Sequence, residues 1–439
     1  DKLVGKTRPG TYINFISTRH DTVGISDRGI VIVPLMKHNY GPVGEYITLD
    51  CNGPDAAIEK LGYSIYDKDE NRQMLLIREA FKKASKVLLY RVNGGTQAKV
   101  TSAPVTATAK YPGTRGNKLS FTVAANPVAG FDVQVNLDGS KVSEYNGLAT
   151  VEELIAQEDK YITFSGTGDL VAVAGANLTG GTDKEAENAD VTKFLDSVEG
   201  VKFNVLCFPA TESSLQAAAK TKIKYIRENI GKGVQVVMPE TASDDYEGVI
   251  NVTNSVVVDE TELTIAEVCA WVAAATAAAK NTQSNTYVEY EGASAVVGAK
   301  SHEEAVAAIN NGEFFFSVSE AGAVVVEYDI NTLTTFAGGK DKTYRKNRVI
   351  RVFDTFAEAL QLNFPPNKYD NSSVGWDIME GIGRTILKQF EDAGAITAVD
   401  YDNDFKVDRD TSHGDETFFN VGLQPVDSAE KLYFTISTR

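Results

Sequence analysis

The sequence predicts a multidomain α/β protein: an α/β core, a small β domain inserted into it, and a C-terminal α/β unit, with an extended arm at each end. Three observations carry this. Over 21–97 and again over 184–338, stretches with helical period alternate with short apolar β-branched runs, the rhythm of helices laid on a sheet. Between the glycine pairs Gly94-Gly95 and Gly180-Gly181 the rhythm gives way to short alternating runs rich in Thr, Val, Ala and Gly. At 439 residues the chain also exceeds what one hydrophobic core usually supports, so two or three domains of roughly 100 to 200 residues are expected.

In order, the first arm (1–20) contains Tyr12, Ile13 and Phe15 in a short apolar-alternating segment. Ile30 to Leu35 reads as a buried strand, Asn71 to Ser85 as a helix with Met74, Leu75, Ile77, Ala80 and Phe81 apolar, and Val87 to Val92 as a strand. The inserted domain (98–183) shows alternation at Leu119–Val123 and Phe131–Val135, with Asp138-Gly139 as a hairpin turn and one short helix, Val151 to Ala156.

The α/β rhythm then resumes. Helices are expected over Asp190–Val198, Ser213–Asn229 with Gly231 as its stop, Thr261 through Lys280, and Glu303–Asn310. Strands are expected over Phe203–Phe208, Val234–Met238, Val249–Val258, Phe314–Val318 and Ala323–Tyr328. Beyond Gly338-Gly339 the C-terminal unit (339–422) reads as helix Asn347–Leu362, a Pro365-Pro366 break, helix Trp376–Asp392, and strands around Ala395–Tyr401 and Phe418–Leu423. The closing segment (423–439) alternates Leu432, Phe434 and Ile436 against Tyr433, Thr435 and Ser437, a strand with no later strand to pair with.

Composition narrows the function. Hydrophobic residues at 43% and charged residues at 23% are ordinary for a soluble globular protein. The formal net charge of −17 opposes nonspecific binding to nucleic acid or anionic lipid, so neither is an expected partner. Between Lys340 and Arg351, however, six bases face only Asp341. This run reads as a solvated face or as an electrostatic contact to an acidic surface on a partner, including another copy of the chain.

Three isolated cysteines, Cys51, Cys207 and Cys269, argue against a disulfide framework and for synthesis in a reducing compartment. No signal-peptide pattern opens the chain, and because it begins with Asp1 rather than Met, residues ahead of it are expected to have been removed or left out. The longest apolar run, Leu263 to Ala279, is mostly alanine and contains Glu267, too short and too weakly apolar for a bilayer.

Catalytic signals are absent from the sequence. No P-loop, dinucleotide fingerprint or nucleophile elbow occurs, and His20, His38, His302 and His413 lack zinc-ligand spacing. Asp400-Tyr-Asp-Asn-Asp404 and Asp408-Arg-Asp410 lack the order of a calcium loop and read as a solvated acidic turn. No cofactor, metal or catalytic residue is therefore expected.

Arg8-Pro9-Gly10 with Tyr12 and Phe15, Asn347-Arg-Val-Ile-Arg-Val-Phe-Asp354, Asp392-Ala-Gly-Ala-Ile396, and Gln424-Pro-Val-Asp427 with Glu430-Lys-Leu-Tyr433 together resemble the contractile-tail sheath proteins of phages, prophages and phage-like bacteriocins. The resemblance implies a non-enzymatic subunit made in the bacterial host cytoplasm. It would stack in six-fold rings as a helical sleeve on an inner tube, with baseplate and tail terminator proteins as further partners. It also implies that Tyr12 to Ile16 and Leu432 to Ser437 are linking strands, that the inserted domain faces outward, and that the C-terminal part faces the tube.

Candidate intersubunit strand residues are accordingly Tyr12, Ile13, Phe15, Leu432, Tyr433, Phe434 and Ile436. Candidates for contact with the tube or with other subunits are Lys342, Arg345, Lys346, Arg348, Arg351, Trp376 and Lys388. The alternatives are a small-molecule enzyme on the α/β core and a cell-surface binding protein acting through the β insertion.

Overall fold

The computed structural model describes residues 28–53, 56–242 and 244–437. Tyr12, Ile13 and Phe15 thus lie outside the described residues. The chain forms two compact units, one of residues 28–354 with 425–437, the other Thr355–Gln424. The helix Asn347–Asn363 begins in the first and ends in the second.

The first unit is built on a seven-stranded sheet. Its order is Glu313–Phe314, Val249–Val252, Gln235–Pro239, Val205–Cys207, Ile30–Leu35, Lys86–Arg91 and Tyr46–Asp50, all parallel except the last. The central strands are apolar runs rather than alternations because helices cover both faces. On one face, helix Ile265–Ala278 packs with helix Gln73–Phe81. On the other, helices Asn188–Ser197 and Ser213–Tyr225 cover Ile32, Leu206 and Val236.

The alanine-rich helix starts where Thr264 and Glu267 form a reciprocal capping box. Small side chains let it approach the sheet, and it is buried nearly all round. Its one large residue, Trp271, stacks on Tyr290 with ring centroids 4.5 Å apart.

The insertion makes two antiparallel sheets around its own core, which includes Phe121, Phe164 and Val133. Asp138 (φ 53°) and Gly139 (φ 79°) form the two-residue turn between strands Phe131–Leu137 and Ser140–Leu148, as Asp-Gly predicts. Both glycine borders meet in the short pairing of Gly95–Thr96 with Thr182–Asp183. Arg91, 1% exposed, clamps this root by donating to the carbonyls of Gly41 (2.9 Å), Pro112 (2.6 Å) and Gly94 (3.3 Å).

Several expected elements differ. Val249–Val258 is two strands, Val249–Val252 and Ser255–Val258. Between them the Asn254 amide pairs with both backbone groups of Phe316 at 2.8 Å, so the chain leaves the parallel sheet and pairs antiparallel with Ala293–Val297. The expected Ser213–Asn229 helix turns into a single π-helical segment, Ile226–Ile230, before Gly231 ends it in the left-handed conformation.

In the second unit, no strand forms over Ala395–Tyr401. Asp400 instead makes a local turn, its carboxylate accepting from the Asp402 amide at 3.0 Å and the Asn403 side chain at 2.8 Å. The hairpin here pairs Glu416–Val421 with Phe405–His413, a strand the charged sequence concealed. Helix Ser373–Asp392 covers it, and Gly383 is required there: a Cβ would fall 2.1 Å from Phe405. Phe364, Phe405 and Phe419 form the adjoining aromatic cluster.

Candidate assembly surfaces

The C-terminal segment has two parts that behave oppositely. Its root, Asp427–Glu430, is fixed to the first unit. Glu430 accepts hydrogen bonds from the hydroxyls of Ser284 (3.0 Å) and Thr286 (2.8 Å), and its other carboxylate oxygen pairs with Lys346. Asp427 lies 3.5 Å from the same ammonium, and Arg348 donates to the Ser428 hydroxyl at 2.6 Å. The Lys346 ammonium also lies 4.7 Å from the centroid of the Tyr328 ring. Burial acts to lower its pKa, but Glu430 more than offsets it and the pKa is raised, so the group stays charged.

Beyond the root every described residue is exposed. Leu432, Tyr433, Phe434 and Ile436 are 67, 89, 82 and 88% exposed, so neither face of the alternating segment is covered by the described residues. Lys431–Ser437 forms no strand here. The reason is physical: a strand is a pairing, and no described segment of the same chain lies alongside it.

The basic run from Lys340 to Arg351 is not the solvated face expected. Lys346, Arg348 and Arg351 are buried, and their charges are used inside the subunit. Arg351 donates to the carbonyls of Gln283 (2.7 Å) and Thr276 (3.3 Å) and lies 3.7 Å from Asp329. Arg345 is half-buried and donates to the Ile309 carbonyl, while Lys340 pairs with Glu247 at 2.7 Å. Among the predicted contact residues of the run, Lys342 alone is exposed. Charge sign was visible in the sequence, but the carboxylates that absorb it lie far along the chain, Glu430 being 84 residues from Lys346.

In the second unit, Lys388 is exposed and 3.1 Å from Asp392. Trp376 is half-buried, its indole N–H donating to Asn371 at 2.5 Å while the Arg409 guanidinium lies 5.8 Å from its ring centroid. The hairpin Phe405–His413/Glu416–Val421 is a two-stranded sheet, so among the described residues neither outer edge carries a third strand. On the inner strand, Glu380 accepts from the Val407 amide at 3.2 Å. On the other strand Phe418 and Val421 are 46 and 37% exposed. Sequence reasoning missed this edge because the partner strand Phe405–His413 reads as an acidic turn.

Among the described residues no group of His, Cys, Asp and Glu is placed to hold a metal ion, and no helix is long and apolar enough to cross a membrane. Cys207 and Cys269 are fully buried, and burial pushes both thiols up, the opposite of an activated nucleophile. His38 is buried with its Nε2 2.9 Å from the Leu61 carbonyl oxygen, and burial together with Arg91 lowers it to a pKa of about 3.

Family models match nearly all of the described chain. They are the tail sheath protein Gp18 domain III N-terminal region over 28–92, the phage tail sheath protein beta-sandwich domain over 93–183, the phage tail sheath protein central domain over 184–332, and the phage tail sheath C-terminal domain over 339–439. Together with the fold they define a structural protein of phage tails. The chain belongs to the phage tail sheath family of contractile injection systems.

It is 36% identical over 464 residues to the phage-like element PBSX protein XkdK of Bacillus subtilis, covering 98% of this chain and 97% of that one. The crystal structure of the sheath tail protein of Desulfitobacterium hafniense superposes with a TM-score of 0.83 at 37% identity, over 97% of this chain and 99% of the other. The sheath tail protein Lin1278 of Listeria innocua gives 0.79 at 32% identity, over 95% and 96%.

Proposed function

We propose that this chain is the repeating subunit of a contractile tail sheath, that copies polymerise around a tail tube, and that neighbouring subunits are linked by exchange of terminal strands. The observation that carries this reading is the pairing of surplus with deficit. The alternating segment Leu432–Ser437 has no sheet, and strand Glu416–Val421, with Phe418 and Val421 exposed, has no further strand beside it among the described residues. A strand donated to such an edge gains a ladder of backbone hydrogen bonds and covers its apolar side chains. Among the described residues the two remain unpaired, so each copy has something to give and somewhere to receive. A head-to-tail exchange that does not close makes a filament or sleeve.

Tyr12, Ile13 and Phe15 are the proposed counterpart at the other end. Lys342, Trp376 and Lys388 remain the proposed contacts with the tube or with adjacent subunits, since burial withdraws Lys346, Arg348 and Arg351 from that role and Arg345 is committed to Ile309. Contraction, in this reading, releases free energy stored at assembly and drives the tube through a target envelope. Baseplate and terminator proteins would cap the ends.

Tyr433→Asp with Phe434→Asp tests the exchange. Both side chains stand in solvent, so the monomer should unfold at the wild-type denaturant concentration, within about 0.5 kcal/mol. Tubes sedimented from concentrated protein should be lost. Wild-type amounts of sedimented tubes would overturn strand exchange.

A further inference from the structure

The C-terminal arm follows the second unit in sequence but is fixed to the first. The chain leaves Thr355–Gln424 at Gln424, and Asp427, Ser428 and Glu430 then bind Lys346, Arg348, Ser284 and Thr286, all of the first unit. We propose that Lys346 and Arg348 are positioning residues that anchor the root of the arm to its own core unit, so that a donated strand begins at Lys431 and ties its neighbour to the core unit, bypassing residues 355–424. This rests on the reading of Leu432–Ser437 as a donated strand.

Three features favour an anchor over an incidental surface contact. The receiving groups are buried and prearranged: Lys346 and Glu430 side chains are only 11 and 9% exposed, and both oxygens of Glu430 are satisfied. Charge-assisted bonds in such surroundings hold far better than exposed ion pairs. The platform beneath is itself braced: Thr286 donates to Glu430 and accepts from the Asp329 amide at 3.0 Å, while Asp329 accepts from Asn347 at 2.8 Å and from the Asn285 amide at 2.9 Å. Finally, the root keeps Ser428 and Glu430 half-buried, whereas every described residue from Lys431 onward is exposed. The anchor therefore sets the free length of the arm. Releasing it would let the arm leave from Gln424 and lengthen it by residues 425–430, roughly 20 Å of extended chain.

The test uses Glu430→Gln, a change on the arm that leaves the core intact, and the charge-exchanged pair Lys346→Glu with Glu430→Lys. Hydrogen exchange of the amides of residues 425–431, read on peptic fragments by mass spectrometry, reports how often the root lifts. Glu430→Gln should speed that exchange by about tenfold, and the exchanged pair should slow it again. In electron micrographs Glu430→Gln should reproduce the disturbed tubes of a full-length chain carrying six Gly/Ser residues inserted after Lys431, which lengthens the arm without touching the anchor. Unchanged exchange over 425–431 with Glu430→Gln overturns the anchor. Tubes that persist when 432–439 are deleted overturn strand exchange instead, so the two failures are distinguishable.

Discussion

At the scale of single residues, the strongest commitments sit where charge is buried. Arg227 and Asp354 form a two-bond ion pair at 2.9 Å with both side chains largely buried, and Gly233 packs so close that a Cβ would lie 2.4 Å from that of Asp354. Burial acts to lower the pKa of Arg227, but Asp354 reverses this and raises it. Asp354→Ala leaves an uncompensated buried guanidinium and should cost about 3–5 kcal/mol in denaturant unfolding; a loss below about 1 kcal/mol would mean the pair is solvated. His38 makes stability depend on pH. Its folded pKa is about 3 against an ordinary 6.5, so between those values the unfolded chain binds the extra proton and stability falls as pH drops through the window. The slope should approach about 1.4 kcal/mol per pH unit, and a His38→Asn variant should lose that component when midpoints are compared at matched pH.

At the scale of elements, glycine fixes how closely helix Ser373–Asp392 can lie on the hairpin. Gly383→Ala drives a methyl into Phe405, and the loss should be roughly 1–3 kcal/mol, read as earlier exchange of amides in 355–424 than in the seven-stranded sheet. The same elements show what was legible beforehand. Ile30–Leu35 and Lys86–Arg91 could be read because strands buried on both faces are uninterrupted apolar runs. Helix His302–Asn310, expected from Glu303 onward, begins at Ser301, which forms a reciprocal capping pair with Glu304. Phe405–His413 was not legible, since Phe405, Val407 and Ser412 are its buried residues and the others are half-buried or exposed. The arm's alternation could be read, but its root could not: Asp427, Ser428 and Glu430 look like linker residues until folding brings them to Lys346 and Arg348. The basic run failed for the same reason, because a sequence displays charges and hides their distant partners.

At the scale of the whole molecule, the proposed linking role rests on an alternating segment, Leu432–Ser437, that pairs with no described strand, and on a hairpin with no third strand among the described residues. Leu432, Tyr433, Phe434 and Ile436 stand exposed in a single copy, and burying four such side chains is worth several kcal/mol, roughly 1.5–3 for each. In the proposed exchange that free energy is gained on assembly. The most direct test is negative-stain electron microscopy of the concentrated protein, alone and with its tube protein, beside a chain ending at Lys431. Strand exchange requires long tubes from the full chain and dispersed single particles from the shortened one, whose monomer unfolds like the original. Equally long and regular tubes from both chains would contradict it.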